Sequence, residues 1–114
     1  MKQRTHKPNS GWLAVKVTNS RKEKSYRIFA TWCGAFHEPE KWRLSSGSDE
    51  IDYSIDECGN YVWPQHTSTY VLEPRLEGAL TLFSKSVWRK LEENATNESC
   101  IIEIVNINNE AASH

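Results

Sequence analysis

Residues 12–18 alternate: Leu13, Val15 and Val17 share one face, while Lys16 and Thr18 fall on the other. β-Branched residues at period two predict a strand. The polar stretch 19–24 leads into residues 25–33. There Tyr26, Ile28, Ala30 and Trp32 occupy one register, and Arg27, Phe29, Thr31 and Cys33 the other. The two segments predict an antiparallel hairpin. Large residues in both registers of its second strand place that strand at the centre of a sheet.

Gly34, Pro39 and the charged residues 37–41 end the pattern, and 41–44 predicts a short edge strand before the small polar loop 45–49. Ile51, Tyr53 and Ile55 then alternate with Asp52, Ser54 and Asp56, predicting a strand with the apolar set turned inward. Residues 57–60 have turn chemistry, with Gly59 free to take positive φ, and 61–63 returns as the partner strand. Pro64 stops that pairing. Residues 69–73 predict one more short strand before Pro74.

In the last third, 78–83 is strand-like and Ser84 is the expected N-cap of a helix over 85–95. Val87, Trp88, Leu91 and Ala95 form its apolar stripe. A rival reading starts the helix as early as Leu76, because Leu80, Phe83, Val87 and Leu91 also share a face. Residues 99–107 are rich in Ile and Val and predict a strand buried on both faces.

Six or seven strands and one helix in the C-terminal third make an α+β fold. One helix covers one face of a sheet, so the sheet must curl or its other face must find cover. The expectation is a strongly bent, mainly antiparallel sheet or a partly open barrel, with the helix packed on it. If the strands at 78–83 and 100–107 are parallel neighbours, the helix is their right-handed crossover. The breakers Pro8 to Gly11 set off residues 1–11 as a flexible basic arm; 12–107 is a single domain and 108–114 a polar tail.

Composition narrows the function classes. The 114 residues hold only 23 Leu, Ile, Val and Phe, but twelve aromatics, five of them Trp. Aromatic burial therefore has to supply much of the core, and near-zero net charge argues against disorder. No apolar run approaches a membrane span of about 20 residues. The basic N-terminus lacks an apolar signal core, and three widely spaced cysteines are no disulfide framework, so a cytoplasmic protein with free thiols is expected. The net charge of −1 hides a segregation: residues 1–44 carry +7 and residues 45–114 carry −8. Such halves either neutralise each other within the fold or present a polar-faced molecule to a partner.

Signatures of nucleotide-binding loops, zinc proteases, serine-nucleophile elbows and CxxC pairs are missing. Cys33, His37, Cys58 and His66 have the inventory of a tetrahedral zinc site but not its tight ligand spacing, so no metal or cofactor is expected. The same thiols could pair with His37 or His66 as nucleophiles. Five carboxylates between Asp49 and Glu57 lack the spacing of a calcium loop. Asp52 and Asp56 read as a solvated strand face, paired in part with Lys16 or Arg27, or as a surface for a basic partner. Trp32 and Trp88 fall in core registers. Trp12, Trp42 and Trp63 lie at strand ends or beside breakers, where an indole could stay exposed for a partner.

The reading that follows is a small non-catalytic binding module. It engages another protein, or a second copy as a homodimer, through exposed aromatics and charge-segregated faces. Two alternatives stand beside it. One is a small hydrolase-like pocket enzyme using His37 or His66 with a carboxylate such as Glu38 or Glu40. The other is nucleic-acid binding by the basic N-terminal half, which the balanced charge disfavours.

Overall fold

The computed structural model describes residues 4–34 and 39–108. The hairpin at its centre joins β2 (Gly11–Thr18) to β3 (Lys24–Trp32), with Leu13 opposite Phe29 and Val15 opposite Arg27. Asn19 shapes the connecting turn. Its side-chain oxygen accepts from the Arg21 and Glu23 amides, and Lys22 takes a φ of 65°. β4 (Lys41–Leu44) adds to β3 as the expected edge strand. β8 (Ile101–Val105) adds antiparallel to the other side of β2, giving the order β4-β3-β2-β8.

A second sheet has the order β1-β7-β6-β5, from β1 (Arg4–His6), β5 (Ser54–Ile55), β6 (Tyr61–Pro64) and β7 (Ser68–Leu72). Its strands pair antiparallel except β1, which runs parallel to β7. The α+β class therefore holds, with eight strands among the described residues. The sheet does not close into a barrel. The second sheet covers the face of the first that the helix leaves open.

The central sheet is thus packed on both sides. Trp12, Ala14, Ile28 and Ala30 meet Tyr61, Trp63, Tyr70 and Leu72 between the sheets, with Leu76 and Ile107 completing that core. On the opposite face, Leu13, Val15 and Phe29 pack against Trp88 of α1 (Leu82–Asn97), flanked by Leu80, Val87 and Leu91. The two registers of β2 and β3 supply one core each, which is why both strands are apolar in every position near their middle.

Several elements depart from the sequence pattern. Residues 78–80 form no strand, so the crossover is not made; after β7 the chain passes through a short 3-10 turn, Pro74–Leu76, and reaches α1 with no further strand between. Thr81, not Ser84, is the N-cap. Its side chain accepts from the Ser84 amide, and the Ser84 hydroxyl accepts in return from the Thr81 amide at 2.8 Å. Ser84 is therefore the third helical residue of a capping box, one turn inside the end that its residue type suggested. β8 is an edge strand rather than a buried one, with Ile101 and Ile104 exposed. The 51–55 strand shrinks to two residues with Ile55 exposed, while Ile51 and Tyr53 pack against the core from the preceding loop.

Within the expected arm lies the short strand β1. Residues 4–6 pair with β7, and Pro8 is fully buried. At the other end Glu77 holds the chain after β8, its carboxylate accepting from the Ile107 and Asn108 amides at 2.6 and 2.8 Å. These charge-assisted bonds seat Ile107 as a plug in the inter-sheet core. Between the sheets, Ser45 accepts from the Ile28 amide and donates to Gln65, while Ser48 accepts from both the Trp63 indole and Gln65. The loop after β4 thereby satisfies the polar groups that sheet stacking buries.

Candidate binding surfaces

The five tryptophans divide between two fates. Trp12 and Trp63 are fully buried, each with its indole N–H satisfied: Trp12 donates to the Glu73 carbonyl at 2.8 Å and Trp63 to the Ser48 hydroxyl at 3.0 Å. Neither ring has surface to offer a partner, which corrects the expectation from their positions at strand ends. Trp63 shares its register with Tyr61, and that alternation outweighs the neighbouring Pro64, whose missing N–H is tolerated at the end of a strand. Trp88 is buried as its helix stripe requires, and Trp32 is half-buried, donating to the Lys7 carbonyl. Trp42 alone is exposed, at 42%, with its ring 5.9 Å from Phe29.

The other exposed large apolar residues follow a rule of position. Ile55 lies on β5, Ile101 and Ile104 on β8, and Leu82 and Phe83 in the first turn of α1. Every one, with Trp42 on β4, is on an edge strand or the helix start; none is on β2, β3, β6 or β7. The helix start and β4 are tied together, because Thr81 donates to the Glu40 carboxylate at 2.6 Å. Trp42, Leu82 and Phe83 each lie one or two residues from that bond, at one end of the central sheet. Leu82 and Phe83 fall in the first turn because α1 begins three residues before the 85–95 reading and six after the rival start at Leu76.

The catalytic candidates scatter. Glu40 is occupied by Thr81. His66 is exposed and its Nε2 stands 3.8 Å from Asp49, which is itself almost fully exposed. Cys33, just past the end of β3, and Cys58, in the turn between β5 and β6, are exposed free thiols, and His37 and Glu38 lie outside the described residues. Among the described residues no three of His, Cys, Asp and Glu gather as a metal cluster. Asp52 is exposed. Asp56 is a turn former, accepting from the Cys58 and Asn60 amides at 2.9 Å each. The pairing of these carboxylates with Lys16 or Arg27 does not occur: Lys16 lies on β2 opposite Tyr26 and Glu103, in the other sheet. Among the described residues no ion pair joins the two charge halves, although Lys16 of one stands opposite Glu103 of the other. Among the described residues the ion pairs are Arg75–Glu73 and His66–Asp49, both within the acidic part of the chain.

A group that the sequence did not single out is His6. Its ring is tilted against Tyr70 at 5.1 Å and meets Trp32 edge-on at 6.2 Å, and Nε2 is buried with no hydrogen-bond partner among the described residues. Burial, then the nearby Arg43 and Arg4, hold its pKa below the ordinary 6.5. Burial raises the Tyr70 hydroxyl, and Arg43 partly offsets this. Three polar residues at the chain start carry no periodicity that could announce such a placement. Because His6 is neutral in the fold and binds a proton more readily when unfolded, its contribution is fully present above pH 6.5. It declines as pH falls from there toward the lowered value. Urea denaturation from about pH 7.5 to about 5 is expected to show this loss, and His6→Gln to flatten the slope.

No helix among the described residues is long and apolar enough to cross a membrane. The chain matches no protein-family model, and comparison with curated proteins and with solved structures returns no match.

Proposed function

We propose that the chain is a non-catalytic protein-binding module that pairs through the open edges of its central sheet, with a second copy of itself as the first partner. The observation that carries this reading is the confinement of exposed large apolar residues to edge strands and the helix start. Unpaired edges are templates for strand addition, and chains that stay alone usually blunt them with charge, Pro or bulges. β8 is blunted only by Glu103. Antiparallel pairing of two β8 strands about a dyad at Glu103 sets Ile101 opposite Val105 and Ile102 opposite Ile104 of the copy. The same patch serves both partners, as a two-fold interface requires. The two Glu103 carboxylates would then face each other, each with a Lys16 opposite it on the adjoining β2 strand. Trp42, Leu82 and Phe83 remain available to a further protein, and the opposite net charges of the two chain halves favour an oriented encounter.

Sedimentation velocity across protein concentration tests the reading. A dimer is expected, and Ile104→Lys should weaken it at least about tenfold while leaving the circular dichroism spectrum unchanged. A monomer at millimolar concentration would remove the self-association, and so would a dimer indifferent to Ile104→Lys.

A further inference from the structure

The register of β3 places a charge where its neighbours are fully buried. Phe29 and Val15 are core residues beneath α1, and Arg27, directly opposite Val15, occupies the next position along β3 on that same face. The helix does not cover it. Beyond Leu91 the space between α1 and the sheet opens into a cleft of about 530 Å³, with Arg27, Val17, Leu44 and Ile102 on the sheet side and Leu91 and Ala95 on the helix side. That volume lies within the range of about 300–1,000 Å³ typical of small-ligand sites.

Arg27 is poorly compensated. One guanidinium N–H donates to the Ser45 carbonyl at 3.2 Å, Nε is buried with no acceptor among the described residues, and none of the described carboxylates pairs with it. A half-buried guanidinium without a counter-charge is costly, and its planar fork matches a carboxylate. Around the cleft stand Glu23, Asp49 and Glu98, with Lys24 beside them. Their charges are held apart from Arg27 rather than paired with it. The cleft therefore offers a cation on the sheet, apolar surface on both walls, and three carboxylate residues in its lining.

We infer that this cleft binds a small apolar zwitterion of amino-acid or dipeptide size, its carboxylate on Arg27, its side chains between Leu91, Ala95, Val17 and Ile102, and its ammonium toward Glu23, Asp49 and Glu98. The cleft shares Ile102 with β8, but Arg27, Val17 and the helix wall lie off that edge, and the binding does not depend on self-association. The free amino acid and the short peptide share the recognising chemistry; they differ in the span between their charges and in how much of the volume they fill.

Titration of the ¹⁵N-labelled protein with L-leucine and with L-leucyl-L-leucine, followed by amide chemical shifts, tests the assignment. Saturable shifts are expected at Val17, Ser25, Leu91, Ala95 and Ile102 with one or both probes, and the tighter probe identifies the source. Arg27→Gln and the C-terminally amidated dipeptide should each weaken binding about tenfold or more. Ala95→Phe, which fills the cleft without touching a charge, should abolish binding in a protein whose remaining spectrum is unchanged. Absence of saturable shifts with both probes at about 10 mM, or binding that Arg27→Gln leaves intact, would overturn the site. Equal binding of N-acetyl-leucyl-leucine would overturn the role given to the acidic rim.

Discussion

Trp12→Ala is expected to remove about 4 kcal/mol of stability, close to half of what a domain of this size commonly has. The ring is fully enclosed between the sheets, its edge against Tyr61 at a centroid distance of 6.0 Å, and its N–H fills the Glu73 carbonyl at 2.8 Å. Truncation leaves a cavity the size of an indole and an unsatisfied acceptor beside it. Both costs fall on the same substitution. In thermal denaturation the midpoint should drop by roughly 15 °C. Trp42→Ala supplies the contrast: its ring is nearly half exposed on an edge strand, and its loss should cost no more than about 1 kcal/mol. If Trp12→Ala matched Trp42→Ala in urea denaturation, the division of the indoles between interior and surface would be wrong.

The second large effect comes from adding a single methyl group. A Cβ placed on Gly11 would overlap the Ala79 carbonyl oxygen and lie 2.7 Å from its carbon, both backbone atoms. No rotamer change relieves such a contact. Residues 77–79 run along the start of β2, held by the parallel bridge between Trp12 and Glu77 and by the Gly78 amide donating to the Trp12 carbonyl at 2.8 Å. To admit the methyl group this segment must move away from the sheet, and Thr81, the cap of α1, follows only two residues later. Gly11→Ala is therefore expected to cost about 3 kcal/mol or more, at the upper end of overpacking effects. Gly59→Ala is the control. Gly59 has a φ of 82° but open space around it, so only the left-handed strain of about 1 kcal/mol applies. Equal midpoints for the two variants would show that the 77–79 segment is not packed against β2.

Gly11 also marks how far the chain can be read before its structure. The breakers from Pro8 to Gly11 suggest a boundary, and a glycine before a strand looks like a turn residue. Its actual role is to let another backbone approach, and that approach comes from Ala79, far along the chain. Trp63 shows the opposite case. Its register with Tyr61 is visible in the sequence, but the adjacent proline suggests an exposed end. Ser84 is recognisable as a capping residue type, and Thr81 completes the box from a position that the strand-like run 78–83 absorbs. Of the site candidates, Trp42 lies on the surface used in the proposal. Arg27 is visible in its register, yet only as a possible ion-pair partner for the acidic strand. His6 has no apolar neighbours to mark it.

The central hairpin, the late amphipathic helix, the short β4 edge and the α+β class are all legible in the order of residues. Each depends on local periodicity, which records which side chains must leave water. Periodicity does not say what covers them. An alternating strand shows that a face is buried without naming the surface that buries it, and both a curled sheet and a stacked one satisfy the same pattern. Tertiary packing made that choice. Stacking buries Trp12 and Trp63 between two layers and leaves the edges of the central sheet open. The helix then ends its close contact near Leu91, so the next charged residue on that face, Arg27, faces a cleft instead of a core.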